Sequence, residues 1–343
     1  MEIKNRIEWL DIAKGIGIVL VVLGHIYTNN IVYNWFYSFH MPLFFFVSGY
    51  VYKKKRLLDD LIRRVQTILV PYFSFGILEL TYWQFIERRF RTSNLSFGEA
   101  IIGLLCGQYE TLDFNVHLWF LPCFFVSVIL YNMLNNFGGK KMAFGFTIAV
   151  MLIFVILPLP IANWPVWENN ADWVDWNGMP ALPWGFNRVF RYFPFIALGN
   201  LFAEKDEFIN NCFSNKKILS IFTAIAAFIF SYWVSNLMLN RTGILWFVTA
   251  TISVFGTLII SKTIDHNRLL QYLGKISLVI LCVHGPIYRG ILKLMSLASN
   301  IGVDVIRENF VTYIFVVLMT LLMSGTIFEI IIGIAPWMIG RKK

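Results

Sequence analysis

The first long apolar run of the chain reads Leu10-Asp11-Ile12-Ala13-Lys14-Gly15-Ile16-Gly17-Ile18-Val19-Leu20-Val21-Val22-Leu23-Gly24-His25 and continues to about Tyr27. A transmembrane helix needs about 20 mainly apolar residues, and this run comes close to that length. The segment before it carries Lys4 and Arg6 but also two glutamates, and no small-residue cleavage site follows the run. We therefore expect the run to remain in the protein as its first membrane helix.

The composition of the whole chain is that of a membrane protein. Of its 343 residues, 57% are hydrophobic and only 14% are charged, which is too apolar for a soluble domain of this size. We predict an all-α polytopic membrane protein of about ten transmembrane helices, forming a single integral membrane domain over residues 1–343. The predicted spans are 10–28, 36–52, 66–86, 118–137, 142–160, 187–204, 218–239, 244–262, 276–297 and 310–335.

Membrane topology explains the formal net charge of +9. The Lys and Arg residues form small clusters between apolar runs, such as Lys53-Lys54-Lys55-Arg56, without the continuous basic face of a nucleic-acid binder. The positive-inside rule places both termini in the cytoplasm, although Arg88, Arg89 and Arg91 count against that orientation. We predict a multi-pass protein of the cell (inner or cytoplasmic) membrane that contacts membrane lipids and has no nucleic-acid partner. The four cysteines lack metal-ligand spacing, so no metal is expected.

Two segments predicted on the outer side are unlike plain connectors. The stretch 92–117 contains a candidate interfacial helix at 96–107, and 161–186 is rich in tryptophan. The tryptophans form an aromatic belt at the membrane interface, or they form a platform that stacks on sugar rings beside carboxylates and amides. The residues concerned in 161–186 are Trp164, Trp167, Trp173, Trp176 and Trp184.

Lys14 and His25 place ionisable groups within the first span, together with Asp11. Eleven residues are close to three helical turns, so Lys14 and His25 leave the same helix face roughly 16 Å apart. Lys14 alone is explained by snorkelling to the inner headgroups. His25 is either a core histidine bonded to a neighbouring helix or a functional group, because ionisable groups inside membranes are costly.

Further candidate groups lie in later spans. His40 enters the membrane at about the depth of His25, so the two imidazoles can share one cavity. Arg63 and Arg64 are positive-inside anchors or bidentate phosphate ligands. The remaining candidates are His117 and Trp119 at the start of the fourth span, His284 in the ninth, and the membrane carboxylates Glu79 and Glu329, which can pair with buried bases.

The Lys14 to His25 spacing resembles the basic-residue, ten-residue gap, histidine motif of the acyltransferase-3 family. Supporting matches in the same order are Trp9-Leu10-Asp11-Ile12-Ala13-Lys14-Gly15, Phe39-His40-Met41-Pro42-Leu43-Phe44-Phe45-Phe46-Val47-Ser48-Gly49, Arg64 ahead of Pro71-Tyr72, His117-Leu118-Trp119-Phe120-Leu121, and Leu273-Gly274-Lys275-Ile276-Ser277 leading to His284. The resemblance covers nearly the whole chain, in the stand-alone form of the family. One departure is Thr67, where many members have a second arginine three residues after Arg64.

The resemblance implies a membrane O-acyltransferase that moves acetyl from cytoplasmic acetyl-CoA to a hydroxyl of a cell-surface polysaccharide, such as an exopolysaccharide of the bacterial envelope, or of its lipid-linked precursor. Acetyl-CoA is then the acyl donor and a glycan or lipid-linked glycan is the acceptor partner. Whether the chain forms a homo-oligomer, and whether the acyl group is acetyl or another short acyl, stays open.

The roles implied for individual residues follow from this assignment. His25 is the general base that deprotonates the hydroxyl, with a transient acyl-imidazole as the alternative. His40 orients His25 or donates to the oxyanion. The cations Lys14, Arg63 and Arg64 bind the donor phosphates. Substrate binding is assigned to Asp11, His117, Trp119 and His284.

Two other function classes compete with the enzyme. A proton-coupled transporter or flippase of an envelope precursor would use buried His, Lys and Glu as a proton relay, but the sequence lacks the internal repeat expected of such a protein. A non-catalytic scaffold would leave the aligned Lys14 and His25 without a purpose.

Overall fold

The structure is a computed structural model that describes residues 7–26, 30–107, 112–152, 183–205, 216–237 and 243–341. Most of these residues are helical and none of them lies in a strand, which confirms the predicted fold class. The α-helices are α1 (Glu8–Ile26), α2 (Asn30–Tyr50), α3 (Leu57–Arg64), α4 (Val70–Phe85), α5 (Phe97–Cys106), α6 (Phe120–Met151), α7 (Phe186–Glu204), α8 (Lys217–Leu237), α9 (Gly243–Ile264), α10 (Arg268–Lys275), α11 (Ser277–Ser299), α12 (Val303–Glu308) and α13 (Phe310–Ile334).

Seven helical segments in the described part of the chain are long and apolar enough to cross a membrane. They are Glu8–Ile26, Leu57–Arg89, Val116–Met151, Lys217–Leu237, Gly243–Ile264, Ser277–Ser299 and Phe310–Ile334. Large apolar side chains on them point outward, with Val311 74% and Ile218 73% exposed, as lipid contact requires. The chain is therefore a multi-pass helical membrane protein. The total of about ten spans and the cytoplasmic termini stay predictions.

The predicted span 118–137 and the described part of the predicted span 142–160 lie along one helical segment with a break in it. Within α6, Gly139 has φ 66° and ψ −168°, which separates two helical stretches. Glycine reaches this conformation at no steric cost, since it has no Cβ. The predicted span 142–160 continues beyond Leu152 into residues outside the described ranges.

A π-helical turn, Val65–Leu69, joins α3 to α4. Pro71 lies in the first turn of α4. Its ring crowds the carbonyl of Thr67 four residues earlier and it has no N–H to offer that carbonyl. A wider turn relieves the crowding, and such turns are often found at functional sites. The turn also changes the direction in which the side chains of α3 leave the helix relative to those of α4.

The predicted interfacial segment 96–107 contains α5, which begins with a reciprocal cap. The backbone N–H of Glu99 donates to Ser96 Oγ at 3.2 Å, and the Ser96 N–H donates to Glu99 Oε2 at 2.7 Å. These hydrogen bonds satisfy two donors that a helix start otherwise leaves open. Bonds from the Ser96 backbone and side chain also lower the pKa of Glu99 from its ordinary value of 4.5. Gly107, with φ 62°, ends the helix.

The helices divide into two compact units. Unit 1 comprises the described residues within Met1–Tyr52 and Phe195–Ser277. Unit 2 comprises those within Lys53–Pro194 and Leu278–Lys343. The division falls at Pro194 inside α7. The single domain predicted for residues 1–343 stays a prediction.

In unit 1, α1 and α10 pack backbone to backbone. A Cβ added to Gly15 would lie 2.1 Å from the carbonyl oxygen of Leu270, and one added to Gly274 would lie 1.9 Å from that of Asp11. Small residues permit such close approach between helices in membranes. The contact fixes the rotation of α1, and with it the direction in which its polar side chains point.

In unit 2, polar side chains join distant segments. Tyr72 on α4 donates its hydroxyl to the Leu104 carbonyl of α5 at 2.6 Å. Asn132 and Asn136 on α6 both donate to the carbonyl of Lys55, at 3.2 and 2.9 Å. The hydrogen bonds from the two asparagines hold Lys55, two residues before α3 begins, and so help to position Arg63 and Arg64.

Candidate active site

In unit 1, His25 at the end of α1 lies beside two aromatic groups of α2. The hydroxyl of Tyr37 is hydrogen-bonded to His25 Nδ1. The His25 and His40 rings are 6.4 Å apart between centroids, and the Tyr37 and His40 rings 4.8 Å apart. Tyr37 and His40 share a helix face because they are three residues apart. The structure thus brings together His25 and His40, as the sequence predicts, and adds Tyr37.

The tautomer of His40 is fixed by its own helix. Its Nδ1 donates to the carbonyl of Phe36, one turn earlier. A neutral imidazole has a single N–H, so Nε2 of His40 carries the lone pair. The side chain is 2% exposed. His40 can therefore accept a proton or a hydrogen bond at Nε2, but as a neutral ring it does not donate to an oxyanion from that atom.

At the other end of α1, Lys14 is paired with Asp11. Lys14 Nζ lies 2.6 Å from Asp11 Oδ1, and the Asp11 side chain is 4% exposed whereas that of Lys14 is 26% exposed. A charge buried this deeply needs a partner of opposite sign. Asp11 therefore offsets part of the Lys14 charge and holds the ammonium group near the surface of α1.

In unit 2, a buried carboxylate organises the two arginines of α3. Asp60 Oδ1 accepts from Arg63 Nη2 at 2.8 Å and lies 3.4 Å from Arg64 Nε. Asp60 itself is 2% exposed. Two guanidinium groups around one carboxylate leave a net positive charge at the end of α3. Such a group suits a phosphate, which guanidinium donors can contact in a bidentate manner.

His117 and His284, also in unit 2, form a stacked pair. Their ring centroids are 4.3 Å apart with an interplanar angle of 31°. His284 Nδ1 lies 2.9 and 3.0 Å from the carbonyls of Ile280 and Leu281, to which it donates. Nε2 of neutral His284 consequently carries the lone pair and can accept a hydrogen bond. The sequence assigns both histidines to substrate binding, and the structure places them together.

Asn115 supports this histidine pair. Its amide nitrogen donates to Glu79 Oε2 at 2.7 Å and to the Cys282 carbonyl, and its Oδ1 accepts from the backbone N–H of His117 at 3.2 Å. One fully buried amide thereby ties α4, the turn before α6 and α11 together. The sequence predicts that Glu79 can pair with a buried base, whereas in the structure its hydrogen-bond donor is the amide of Asn115. The other oxygen of this carboxylate, Oε1, has no hydrogen-bond partner among the described residues.

A set of ion pairs surrounds the buried carboxylate of Glu87 and extends to Asp113, two residues before Asn115 in the chain. Glu87 Oε1 is 2.7 Å from both Arg289 Nε and Arg91 Nε, and Oε2 is 3.2 Å from Arg289 Nη2. Arg91 Nη1 reaches Asp113 Oδ1 at 2.9 Å, and Arg289 also donates to the Phe114 carbonyl at 2.6 Å. We call Glu87, Arg91, Asp113 and Arg289 the Glu87 network. It explains Arg91, which violates the positive-inside rule, as the partner of two carboxylates.

Trp119 packs against a buried arginine of α7. The guanidinium carbon of Arg188 lies 4.3 Å from the centroid of the Trp119 ring, and Arg188 is 5% exposed. The cation occupies one face of the indole. Of the predicted tryptophan platform, Trp184 is described, and it donates to the Leu105 carbonyl at 3.0 Å. The other four tryptophans of that platform lie outside the described residues.

A model of a family described as "Acyltransferase domain", the acyltransferase-3 family, matches residues 7–329. The chain belongs to the acyltransferase-3 family. The match confirms the resemblance carried by the Lys14 to His25 spacing and the motifs after it. All nine predicted site residues of this acyltransferase-3 chain fall inside the matched range.

Two curated proteins named Nodulation protein NolL are similar to this acyltransferase-3 chain. The protein from Sinorhizobium fredii is 27% identical over 245 residues, which cover 67% of this chain and 58% of the relative. The protein from Mesorhizobium japonicum is 26% identical over 246 residues, covering 66% of this chain and 56% of the relative. The chain thus matches less than three-fifths of the length of these relatives. No solved structure matches the chain.

Sequence reasoning missed several polar residues of this acyltransferase-3 chain. Tyr37 carries a weak signal, since it lies one turn before His40. Asn115 adjoins the His117 motif and has the same kind of local signal. Arg289 and Glu87 are 202 residues apart, and neither segment has a sequence pattern that predicts their pairing.

Proposed function

We propose that the chain is an O-acetyltransferase that moves acetyl from cytoplasmic acetyl-CoA to a hydroxyl of a cell-surface polysaccharide or of its lipid-linked precursor. The observation that carries the proposal is His25, an imidazole inside a membrane helix held by a hydrogen bond to Tyr37, at the histidine of the family motif. An imidazole changes its protonation near neutral pH and serves well as a general base.

His25 acts on the acceptor hydroxyl. The ring nitrogen that carries the lone pair takes the hydroxyl proton while the oxygen attacks the thioester carbonyl, and the thiolate of CoA leaves with that proton. Proton transfer of this kind contributes about 10²–10⁴ in rate. His40, 6.4 Å away between ring centroids, acts as the neighbour that limits how the His25 ring can turn.

Arg63 and Arg64 bind the donor phosphates in this proposal. Both guanidinium groups are oriented by Asp60, and this pre-organisation lowers the entropy cost of binding. The family arginine missing at Thr67 is the reason to expect that Arg63 shares the task. Lys14 keeps the donor-binding role that the resemblance implies, and Asp11 holds it in place.

The stacked pair His117 and His284 binds the acceptor. Nε2 of His284 is an acceptor for a sugar hydroxyl, because Nδ1 is committed to the backbone. Glu79 Oε1 is a second acceptor, held by Asn115 through the other oxygen. Trp119, which has Arg188 over its ring and the Tyr192 ring 6.0 Å away between centroids, contributes an aromatic surface for the C–H groups of a sugar ring.

The test is transfer of label by the purified protein in lipid nanodiscs. The protein is incubated with acetyl-CoA that carries radiolabel in the acetyl group and with polysaccharide or lipid-linked precursor from the producing cell. We expect label in the carbohydrate, released by mild base as an O-ester would be. Succinyl-CoA and propionyl-CoA in parallel define the acyl group. Label that never enters carbohydrate, together with movement of precursor across the bilayer, would favour the transporter instead.

A further inference from the structure

Tyr37 is held rigidly beside His25. Its ring lies 4.0 Å from that of Tyr33, one turn earlier on α2, and 4.8 Å from that of His40. On the α1 side, a Cβ added to Gly24 would lie 3.1 Å from Tyr37 Cε2. The phenol ring thus packs directly against the backbone of α1 at Gly24, where the side chain of a larger residue would crowd the ring. The sequence provides this space with glycine immediately before His25.

The hydroxyl of Tyr37 meets one particular nitrogen of His25. It is hydrogen-bonded to Nδ1 and lies 3.4 Å from Nε2. The rings stand almost perpendicular, at 84°, with centroids 5.2 Å apart. A neutral imidazole carries its proton on one nitrogen and its lone pair on the other. The group bonded to Nδ1 therefore decides which nitrogen can act as a base.

We propose that Tyr37 is a positioning residue whose hydroxyl oxygen accepts the Nδ1–H of His25 and so fixes the lone pair at Nε2. The inference rests on the proposed function, in which His25 is the general base. Nε2 takes the proton from the acceptor hydroxyl as the new C–O ester bond forms. When the thioester C–S bond breaks, the same proton passes from Nε2 to the sulfur of CoA. Tyr37 keeps its own proton throughout.

A bond to Nδ1 also supports the charged intermediate of this cycle. While Nε2 holds the transferred proton, His25 is an imidazolium and both nitrogens are donors. The phenolic oxygen accepts from the positively charged ring, and hydrogen bonds to charged groups are stronger than neutral ones. The contribution therefore grows towards the transition state, which is the condition for an effect on kcat rather than on substrate binding.

The first test is Tyr37→Phe, which removes the oxygen and keeps the ring. We expect kcat to fall about tenfold, the equivalent of the ~1.4 kcal/mol that one such hydrogen bond contributes. KM for acetyl-CoA should change by less than about twofold, because the bond matters after binding. Tyr33→Phe is the matched control, since it removes a hydroxyl one turn away and leaves kcat unchanged. An equal fall in kcat in both variants would overturn the proposal.

The second test needs no catalysis and no substitution of Tyr37. Isotope-labelled histidine nitrogens report by NMR which ring nitrogen carries the proton, and His25 is identified by the signal lost in His25→Gln. We expect a protonated Nδ1 and a bare Nε2 in the neutral wild-type protein. A bare Nδ1 refutes the proposal, whether or not Tyr37→Phe folds.

These variants distinguish failure of the proposed function from failure of the role proposed for Tyr37. If His25→Ala retains transfer, the general base of the proposed function is wrong. If His25→Ala abolishes transfer while Tyr37→Phe has the kcat of the wild type, the base stands and the role of Tyr37 is overturned.

Discussion

Glu87→Gln is the substitution for which the structure gives the clearest magnitude. Glu87 is fully buried and makes three contacts with two arginines, at 2.7, 2.7 and 3.2 Å. The amide keeps the shape of the side chain and one acceptor oxygen. It removes the negative charge, so Arg289 and Arg91 would be left with Asp113 as the remaining carboxylate of the Glu87 network.

The expected cost is about 3–5 kcal/mol of the free energy of unfolding, the range seen when one partner of a buried ion pair is removed. Arg91 is 29% exposed and regains some hydration, whereas Arg289 is 17% exposed and regains less. The result should therefore fall in the lower half of that range. Because Arg289 also bonds the Phe114 carbonyl beside Asn115, acyl transfer should fall as well.

The assay is unfolding of the protein in mixed micelles, with the double variant Glu87→Gln, Arg289→Gln completing a cycle. We expect the double variant to lose less than the sum of the single variants, because each removes the same pair. Glu99→Gln serves as the control for an exposed carboxylate and should destabilise the protein much less than Glu87→Gln does. A loss below about 1 kcal/mol in Glu87→Gln would refute the energetic role of the network.

Three further predictions follow from other parts of the molecule. Arg64→Met should raise KM for acetyl-CoA about tenfold or more with less effect on kcat. The exposed control Arg56→Met should leave KM unchanged. Equal KM values in the two variants would contradict phosphate binding by Arg64. Glu99 has a lowered pKa, so its contribution to stability is present above 4.5 and is lost as the pH falls through the folded value. A carboxyl titration by NMR should show this, and Ser96→Ala should move the midpoint back up. Gly15→Val should prevent folding or strongly destabilise unit 1, because the added Cβ would lie 2.1 Å from a carbonyl oxygen of α10. A melting curve like that of the wild type would show that this contact is wrong.

Hydropathy predicted most of the helices because the bilayer imposes one simple requirement, a long apolar stretch. It missed the local departures from regular helix. The π-helical turn before Pro71 arises from backbone crowding, and the break at Gly139 from a single φ value; neither changes the apolar pattern. The predicted interfacial helix begins with the reciprocal cap of Ser96 and Glu99, a local sequence signal that the prediction did not use.

The candidate site was predictable where its residues share one helix. Lys14, His25 and Asp11 lie on α1, and their spacing alone gives their relative direction. The meeting of His25 and His40 was predicted from their similar depth in the membrane. Most other pairs between helices were not predictable, because they depend on how each helix is rotated and shifted against its neighbour. Tyr37 reaches His25 only after Gly24 lets the ring approach, and Glu87 meets Arg289 across 202 residues.

The most direct test of the central claim is acyl transfer by His25→Ala compared with His266→Ala. His266 is an exposed histidine of the same unit, paired with Glu8 at the surface, so it controls for loss of an imidazole. In purified protein of matched folding, we predict that His25→Ala lowers label transfer from acetyl-CoA to carbohydrate by about 10²–10⁴, while His266→Ala retains it. Near-normal transfer by His25→Ala would contradict the account.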